Sequence, residues 1–142
     1  MAIRPLAALP FEWSRRLWVL VEALAYAAGL PPSSVLKYQS ANLAFATQRV
    51  NMEEARRKAD LILCHGGDAT VAAALLAGRP LMVLPLHAEQ YATAQRVEQL
   101  GAGINVAPDK FKPDYRKLVR RLLSEPSFTL KARAFADKYR GF

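Results

Sequence analysis

The sequence predicts an α/β fold in which helices flank a parallel sheet. Two short apolar runs, residues 61–64 and 81–84, have the composition of buried strands, and Pro80 and Pro85 bound the second. Parallel strands covered on both faces are continuously apolar rather than alternating. Segments with helical periodicity separate these runs, and strands that alternate with helices favour a parallel sheet.

The other elements follow from periodicity and from residues that end helices. A first helix is predicted within residues 13–28, ended by Gly29, with short strands at 35–38 and 43–46. The remaining predicted elements are helices at 52–58, 69–77, 91–100, 115–123 and 129–139 and a strand at 104–106. No linker, internal repeat or low-complexity segment is recognisable, so residues 1–142 are predicted to form one domain.

Composition narrows the possible functions. Hydrophobic residues make up 52% and charged residues 23% of the chain, as in globular proteins. The only cysteine, Cys64, excludes an internal disulfide and leaves no zinc-binding spacing with the two histidines. No signal-peptide pattern and no apolar run of roughly 20 residues is present. We therefore expect a cytoplasmic protein without a bound metal.

The chain is basic, with 20 Lys and Arg against 12 Asp and Glu and a net charge of +8. The basic residues are scattered in pairs along predicted helices, which favours solvated helix faces. Contact with an anionic membrane surface or an acidic partner subunit is the alternative. Nucleic acid is not an expected partner, because no basic segment interleaved with aromatic residues and no nucleic-acid module is recognisable.

The segment at residues 65–70 joins the predicted strand at 61–64 to the helix that follows it. Its glycines lie at a strand-to-helix turn, which directs free backbone N–H groups and the positive end of the helix dipole at one point. Such a turn suits an anionic diphosphate. The candidate ligand-binding residues in it are His65, Gly66, Gly67, Asp68, Ala69 and Thr70.

These residues and those that follow resemble the donor-binding signature of GT-B glycosyltransferases of the UDP-glucuronosyltransferase and macrolide-transferase type, which are glycosyltransferase family 1-like. Their pattern has H-G-G-x-G-T, then x-x-E/T-A-L-x-x-G-x-P, then P-x-x-x-D/E-Q-x-x-N-A, then G-x-G. The matching positions are His65, Gly66, Gly67, Thr70, Ala74, Leu75, Gly78, Pro80, Pro85, Glu89, Gln90, Ala94, Gly101 and Gly103. The resemblance implies a Rossmann-like domain, the C-terminal half of a GT-B fold, that binds a nucleotide-diphosphate sugar for transfer of a hexosyl group to an acceptor hydroxyl.

The resemblance also implies a role for each part of the site. His65 and the backbone of residues 67–70 would hold the donor diphosphate, while Glu89 and Gln90 would bind hydroxyls of the sugar. The alternative for Glu89 and Gln90 is an exposed pair in the first turn of the following helix.

The remaining assignments concern the nucleobase and the second histidine. The register that supplies base contacts in similar enzymes falls on Arg49 and Val50. His87 is outside the family's site and is expected in a loop or at the surface.

Several positions depart from the family pattern. Ala69 replaces a glycine, and Asp68 either places a carboxylate beside the phosphate site or N-caps the helix. Thr93 replaces the asparagine that follows the Glu-Gln pair. Ala73 occupies the position of a glutamate that binds ribose in many UDP-sugar enzymes, which favours a deoxyribose donor such as a dTDP-sugar.

The N-terminal half of a GT-B enzyme, which binds the acceptor and carries the usual catalytic histidine, is not recognisable here. The resemblance therefore assigns no catalytic residue, and no cofactor or metal is expected besides the donor. We expect no efficient transfer unless a partner subunit or a longer natural chain supplies the acceptor half. The alternative is a non-catalytic or degenerate nucleotide-binding module that keeps the fold and forms a homodimer.

Overall fold

The computed structural model describes residues 51–107 and 113–141. In chain order the elements are α1 (Met52–Lys58), β1 (Ile62–Cys64), α2 (Asp68–Leu76), β2 (Leu81–Val83), α3 (Ala88–Leu100), β3 (Gly103–Asn105), α4 (Tyr115–Ser124) and α5 (Pro126–Lys138). The helix predicted at 13–28 and the strands predicted at 35–38 and 43–46 lie outside the described residues, as do Arg49 and Val50. The single domain over 1–142 stays a prediction.

The three strands form a parallel sheet in the order β1-β2-β3. Ile62, Leu81 and Gly103 lie opposite one another across it. A Cβ on Gly103 would lie 2.4 Å from the Leu81 carbonyl oxygen and 2.7 Å from Val97 Cγ1, so only glycine allows α3 to pack this closely on β3. The arrangement confirms the predicted parallel α/β fold.

Alternating strand residues divide the core into two layers. One layer packs the sheet against α2, α3 and α5; its buried residues are Ala59, Ile62, Cys64, Val71, Ala74, Leu75, Leu81, Val83, Ala94, Val97, Ala102 and Ala132. The other packs the sheet against α4 and the start of α5; its buried residues are Leu61, Leu63, Met82, Ile104, Val106, Val119, Leu122 and Phe128. Helices thus cover both faces, and the carboxyl ends of the strands open at one edge of the sheet.

Two helices begin three residues earlier than the sequence predicts. α3 begins at Ala88 rather than at residue 91, because its N-cap position, His87, carries no capping side chain that would mark the boundary. α5 begins at Pro126 rather than at residue 129, and a proline at the first helical position is a local signal that could have located it. The earlier start places Glu89 and Gln90 inside α3.

Arg79, in the connection between α2 and β2, joins α1 to the rest of the domain. Its Nε donates to the Arg56 carbonyl oxygen at 3.1 Å, and its Nη2 donates to the Arg57 carbonyl oxygen at 2.5 Å. The last carbonyls of a helix have no partner within it, so this guanidinium caps the C-terminal end of α1.

Candidate functional site

The turn from β1 to α2 is built around Gly66. Its φ of 95° lies in the left-handed region that L side chains rarely adopt. A Cβ at this position would also lie 2.9 Å from Val83 Cγ1 and 3.1 Å from the carbonyl oxygen of Gln90. Glycine is therefore required both by the backbone conformation and by the contact between this turn and the first turn of α3.

The start of α2 leaves several backbone donors without a helical partner. Gly67 occupies the N-cap position, and no side chain caps the helix there. The Gly67 carbonyl oxygen accepts from the N–H of Val71 at 3.0 Å, which is the first α-helical hydrogen bond. The N–H groups of Asp68, Ala69 and Thr70 precede that bond and have no acceptor within α2.

Asp68 does not cap this helix, so the N-cap alternative is wrong. The helix begins at Asp68 itself, with Gly67 before it in the N-cap position. The Asp68 carboxylate instead accepts a hydrogen bond of 2.8 Å from the hydroxyl of Thr93 on α3. The side chain is exposed, and it does not compete for the first N–H groups of α2.

His65 lies directly after β1 and is partly buried. Its Nε2 is 3.6 Å from the position that a Cβ on Gly67 would occupy, so this nitrogen faces the turn. Its Nδ1 is buried and has no hydrogen-bond partner within the described part of the chain. The structure therefore brings the imidazole, as predicted, to the turn that precedes the free N–H groups of α2.

The second connection at this edge of the sheet runs from β2 to α3. The N–H of Leu86 donates to Gln90 Oε1 at 2.8 Å, which holds the loop against the first turn of the helix. The N-cap residue, His87, is exposed and has no side-chain cap hydrogen bond. Its carbonyl accepts from Tyr91 N–H at 2.9 Å, so the N–H groups of residues 88–90 have no acceptor within α3.

Glu89 and Gln90 lie in the first turn of α3, where the sequence alternative placed them. Glu89 is exposed and adds a carboxylate at the positive end of the helix dipole. Gln90 is partly buried, and its Oε1 is engaged by the loop, which leaves the amide hydrogens as its free donors. Gln90 Cβ is 3.5 Å from the position that a Cβ on Gly66 would occupy, and the predicted contact of Glu89 and Gln90 with a sugar stays a prediction.

Cys64, at the end of β1, has an unreactive thiol. Burial raises the pKa of its thiol from an ordinary value of 9.0 to about 11, although a hydrogen bond from the Gly66 backbone acts in the opposite direction. The thiol is therefore neutral at physiological pH, and only a thiolate is an effective nucleophile. Cys64 serves as a small core residue beneath the turn.

Sequence reasoning missed two features of this edge. Thr93 was noted only as a departure from the family pattern, and its hydrogen bond to Asp68 joins positions 25 residues apart. Asn105 ends β3 at the same edge, and its Oδ1 is buried with no hydrogen-bond partner in residues 51–107 and 113–141. A polar residue at the carboxyl end of a buried parallel strand was the signal that could have identified Asn105.

The described ranges contain neither a candidate metal site nor a helix that could span a membrane. No three His, Cys, Asp or Glu side chains in them are grouped so as to hold a metal ion. None of their helices combines the length and the apolar character needed to cross a bilayer.

Comparison with known proteins identifies the family. Residues 40–140 match the erythromycin biosynthesis protein CIII-like, C-terminal domain. The NDP-glycosyltransferase YjiC of Bacillus licheniformis is 44% identical over 62 residues, which are 44% of this chain and 16% of that protein. The elloramycin glycosyltransferase of Streptomyces olivaceus is 40% identical over 79 residues, which are 56% of this chain and 19% of that protein. The chain thus spans about a fifth of the length of these relatives.

Solved structures support the same assignment. The glycosyltransferase VinC in complex with dTDP matches 79% of this chain and 29% of its own chain, with a TM-score of 0.66 and 27% identity. The spinosyn rhamnosyltransferase SpnG complexed with thymidine diphosphate matches 84% of this chain and 36% of its own, with a TM-score of 0.63 and 25% identity. The chain therefore belongs to the erythromycin biosynthesis protein CIII-like C-terminal domain family and has the fold of the C-terminal domain of GT-B glycosyltransferases.

Proposed function

We propose that this chain is the donor-binding half of a glycosyltransferase and binds a nucleotide-diphosphate sugar. The observation that carries the proposal is the meeting of two uncapped helix starts at the carboxyl edge of the sheet, with His65 Nε2 beside the first of them. Ligands of parallel α/β sheets bind at this edge. Family membership supports the same ligand class, because the relatives are named as glycosyltransferases.

The diphosphate would bind at the start of α2. The N–H groups of residues 68–70 supply donors, and the helix dipole favours negative charge at this end. His65 Nε2 and the Thr70 hydroxyl are further donors on the same turn. Phosphate oxygens accept several hydrogen bonds at once, so one diphosphate could satisfy all of these donors.

The sugar would lie toward the start of α3. The Glu89 carboxylate can accept from two neighbouring hydroxyls, and Gln90 can donate through its amide hydrogens. The contact between the Gly66 turn and the Gln90 backbone supports this placement, since it brings the first turn of α3 next to the phosphate-binding turn.

We further propose a thymidine nucleotide as the preferred donor. Ala73 carries no group that could hydrogen-bond a ribose hydroxyl, and a deoxyribose nucleotide has one hydroxyl fewer to satisfy. VinC and SpnG, which share this fold, were solved with dTDP or thymidine diphosphate. Contacts of Arg49 and Val50 with the base stay a prediction.

Transfer itself would need an acceptor-binding half, supplied by a partner subunit or by a longer natural chain. A general base must lie within hydrogen-bond reach of the acceptor hydroxyl. The described residues at this site offer donors for an anion and for sugar hydroxyls, and we assign no catalytic base among them. The non-catalytic module is the less favoured alternative, because the chain belongs to a family whose named relatives are glycosyltransferases.

The decisive experiment is calorimetric titration of the chain with dTDP, UDP and their glucose conjugates. We expect the His65→Ala variant to bind each nucleotide about tenfold or more weakly, because it loses a hydrogen bond to a charged group. His87→Ala is the matched control, since it removes the other histidine, which is exposed at the N-cap of α3. Absence of binding by the unaltered chain, or equal affinities in the unaltered chain and His65→Ala, would contradict the proposal.

A second proposal concerns where the domain docks. α4 carries Arg116, Lys117 and Arg120 as exposed cations on neighbouring turns. Each cation near an anionic membrane surface contributes about 1 kcal/mol, so this face supports peripheral contact at the inner face of a membrane. The test is co-sedimentation with vesicles that contain phosphatidylserine and with neutral vesicles, for the unaltered chain and for Arg116→Glu/Arg120→Glu. Equal sedimentation with both vesicle types would contradict it.

The alternative partner is a second copy of the chain. Leu76 on α2 and Leu130 on α5 are 44% and 62% exposed, and these two helices pack against each other. Apolar side chains that remain exposed on adjacent helices favour association. Sedimentation equilibrium of the unaltered chain and of Leu130→Gln would decide between monomer and dimer.

A further inference from the structure

We propose that Asp68 and Thr93 form a positioning pair that couples the phosphate-binding end of the site to its sugar-binding end. The inference rests on the proposed donor-binding function. The Thr93 hydroxyl donates to Asp68 Oδ1 at 2.8 Å, and this bond joins the first residue of α2 to the second turn of α3. Thr93 replaces the asparagine of the family pattern, and Asp68 occupies a position at which that pattern specifies no residue.

The pair completes a set of contacts that hold the start of α3 in place. Gly66 packs against the backbone of Gln90, and the loop N–H of Leu86 donates to Gln90 Oε1. Neither of these contacts involves α2. Within the described residues, the hydrogen bond between Asp68 and Thr93 connects the starts of α2 and α3 directly through side chains.

Thr93 lies one helical turn after Glu89 and is therefore on the same stripe of α3. Its hydroxyl oxygen is 3.4 Å from the Glu89 carbonyl oxygen, while the bond to Asp68 is shorter and lies across the site. Holding Thr93 consequently fixes the height and rotation of the turn that carries Glu89. The sugar-binding carboxylate is thus oriented relative to the N–H groups of α2.

The negative charge of Asp68 opposes donor binding, whereas its hydrogen bond to Thr93 favours binding of the sugar. The carboxylate is exposed on the first residue of α2, the helix start that would hold the diphosphate, and a carboxylate and a phosphate repel each other. Asp68 therefore weakens binding of any nucleoside diphosphate, while its bond to Thr93 favours the sugar conjugate. The two effects can be separated by substitution.

The test is calorimetric titration of the full chain with dTDP and dTDP-glucose. Thr93→Val keeps the shape of the side chain but removes the hydroxyl, so we expect it to weaken dTDP-glucose by roughly three- to tenfold and dTDP by less than about twofold. Asp68→Asn keeps an acceptor and removes the charge, so both ligands should bind more tightly by a similar factor. Thr93→Ser should restore the preference, and Thr129→Val on α5 is the matched control.

A loss of equal size for both ligands in Thr93→Val would overturn the positioning role, because it would indicate general destabilisation. A double-mutant cycle of urea unfolding with Asp68→Ala and Thr93→Val needs no ligand and should be non-additive. Additive changes overturn the pair but leave the proposed function intact. Absence of nucleotide binding by the unaltered chain, together with a non-additive cycle, overturns the proposed function and the positioning role while leaving the bond itself in place.

Discussion

α1 and α4 begin differently from α2 and α3, the two helices that follow β1 and β2. At the start of α1, Asn51 Oδ1 accepts from the N–H of Glu53 at 3.1 Å and from the N–H of Glu54 at 3.2 Å. At the start of α4, an Asp114 carboxylate oxygen accepts from the N–H of Lys117 at 3.1 Å. These side chains satisfy backbone donors that a helix cannot satisfy by itself.

α2 and α3 begin at Gly67 and His87 without a side-chain cap. α5 also lacks one, but its first residue is Pro126, which has no N–H to satisfy. α5 keeps the N–H groups of Ser127 and Phe128, but among these three helices only α2 and α3 follow β1 and β2 at the carboxyl edge. The comparison shows that α1 and α4 satisfy their first N–H groups with their own N-cap side chains, whereas α2 and α3 leave theirs available to an external acceptor.

The largest expected effect on stability comes from a substitution at the contact between the two uncapped helix starts. Gly66→Ala would place a Cβ 2.9 Å from Val83 Cγ1 and impose a left-handed conformation on alanine. We expect the free energy of unfolding to fall by about 3 kcal/mol, because backbone strain and overpacking add. Urea unfolding checks this. Gly67→Ala is the control, since its nearest neighbour is 3.6 Å away and its φ of −63° suits alanine. Equal losses in the two variants would contradict the account.

The next largest expected effect is a loss of stability at high pH, which the Cys64 thiol beneath the same turn causes. Below pH 9 the Cys64 thiol is protonated in both the folded and the unfolded chain. Between pH 9 and about 11 the unfolded thiol ionises while the buried one stays neutral, so stability falls as pH rises. The full loss is about 2 to 3 kcal/mol. Urea unfolding of the unaltered chain and of Cys64→Ala from pH 8 to 11 should give curves that converge, and parallel curves would refute this.

Removing the side-chain cap of α1 gives a smaller effect on stability. Asn51→Ala deletes the acceptor for the N–H groups of Glu53 and Glu54, so we expect a loss of about 1 kcal/mol in the free energy of unfolding. Nucleotide affinity is measured beside stability, because Asn51 directly follows Arg49 and Val50, the predicted base contacts. Asn51→Asp retains the acceptor and should be close to neutral. An unchanged free energy of unfolding in Asn51→Ala would contradict the capping role of Asn51.

The smallest expected effect on stability comes from adding a side-chain cap to α2, which has none. Gly67→Ser offers a hydroxyl acceptor to the first N–H groups of α2, so unfolding should become less favourable by a few tenths of a kcal/mol. Nucleotide binding should weaken severalfold, because the new hydroxyl competes with phosphate for the same donors. Gly67→Ala adds the methyl without the acceptor and separates crowding from capping. Tighter nucleotide binding in Gly67→Ser would contradict the comparison.

Much of the fold was predictable because the signals were local. β1 and β2 are continuous apolar runs, and α1 has an N-cap asparagine with basic residues in its last turn. The predicted bounds of α1 match the structure. The glycine turn at residues 65–67 was recognisable for the same reason, since only a few residue types allow a close strand-to-helix turn.

The parts that could not be predicted depend on tertiary contacts. Asp68 was a credible N-cap by residue type, but its carboxylate is drawn to Thr93 on another helix. Gln90 was assigned to a ligand, while its Oε1 holds the Leu86 N–H of its own loop. Each of these polar side chains has several possible hydrogen-bond partners, and the partner it binds depends on how α3 packs on the sheet.

The order of the sheet also has a consequence for how the domain folds. Each of the three strands pairs with the next one in the chain, so either crossover can form from contacts that are close in sequence. The turn after β1 can form with the first crossover, but Gln90 and Thr93 reach it only once the second has packed. A fluorescent nucleotide added during refolding should therefore bind in the last kinetic phase, after most helical signal has returned.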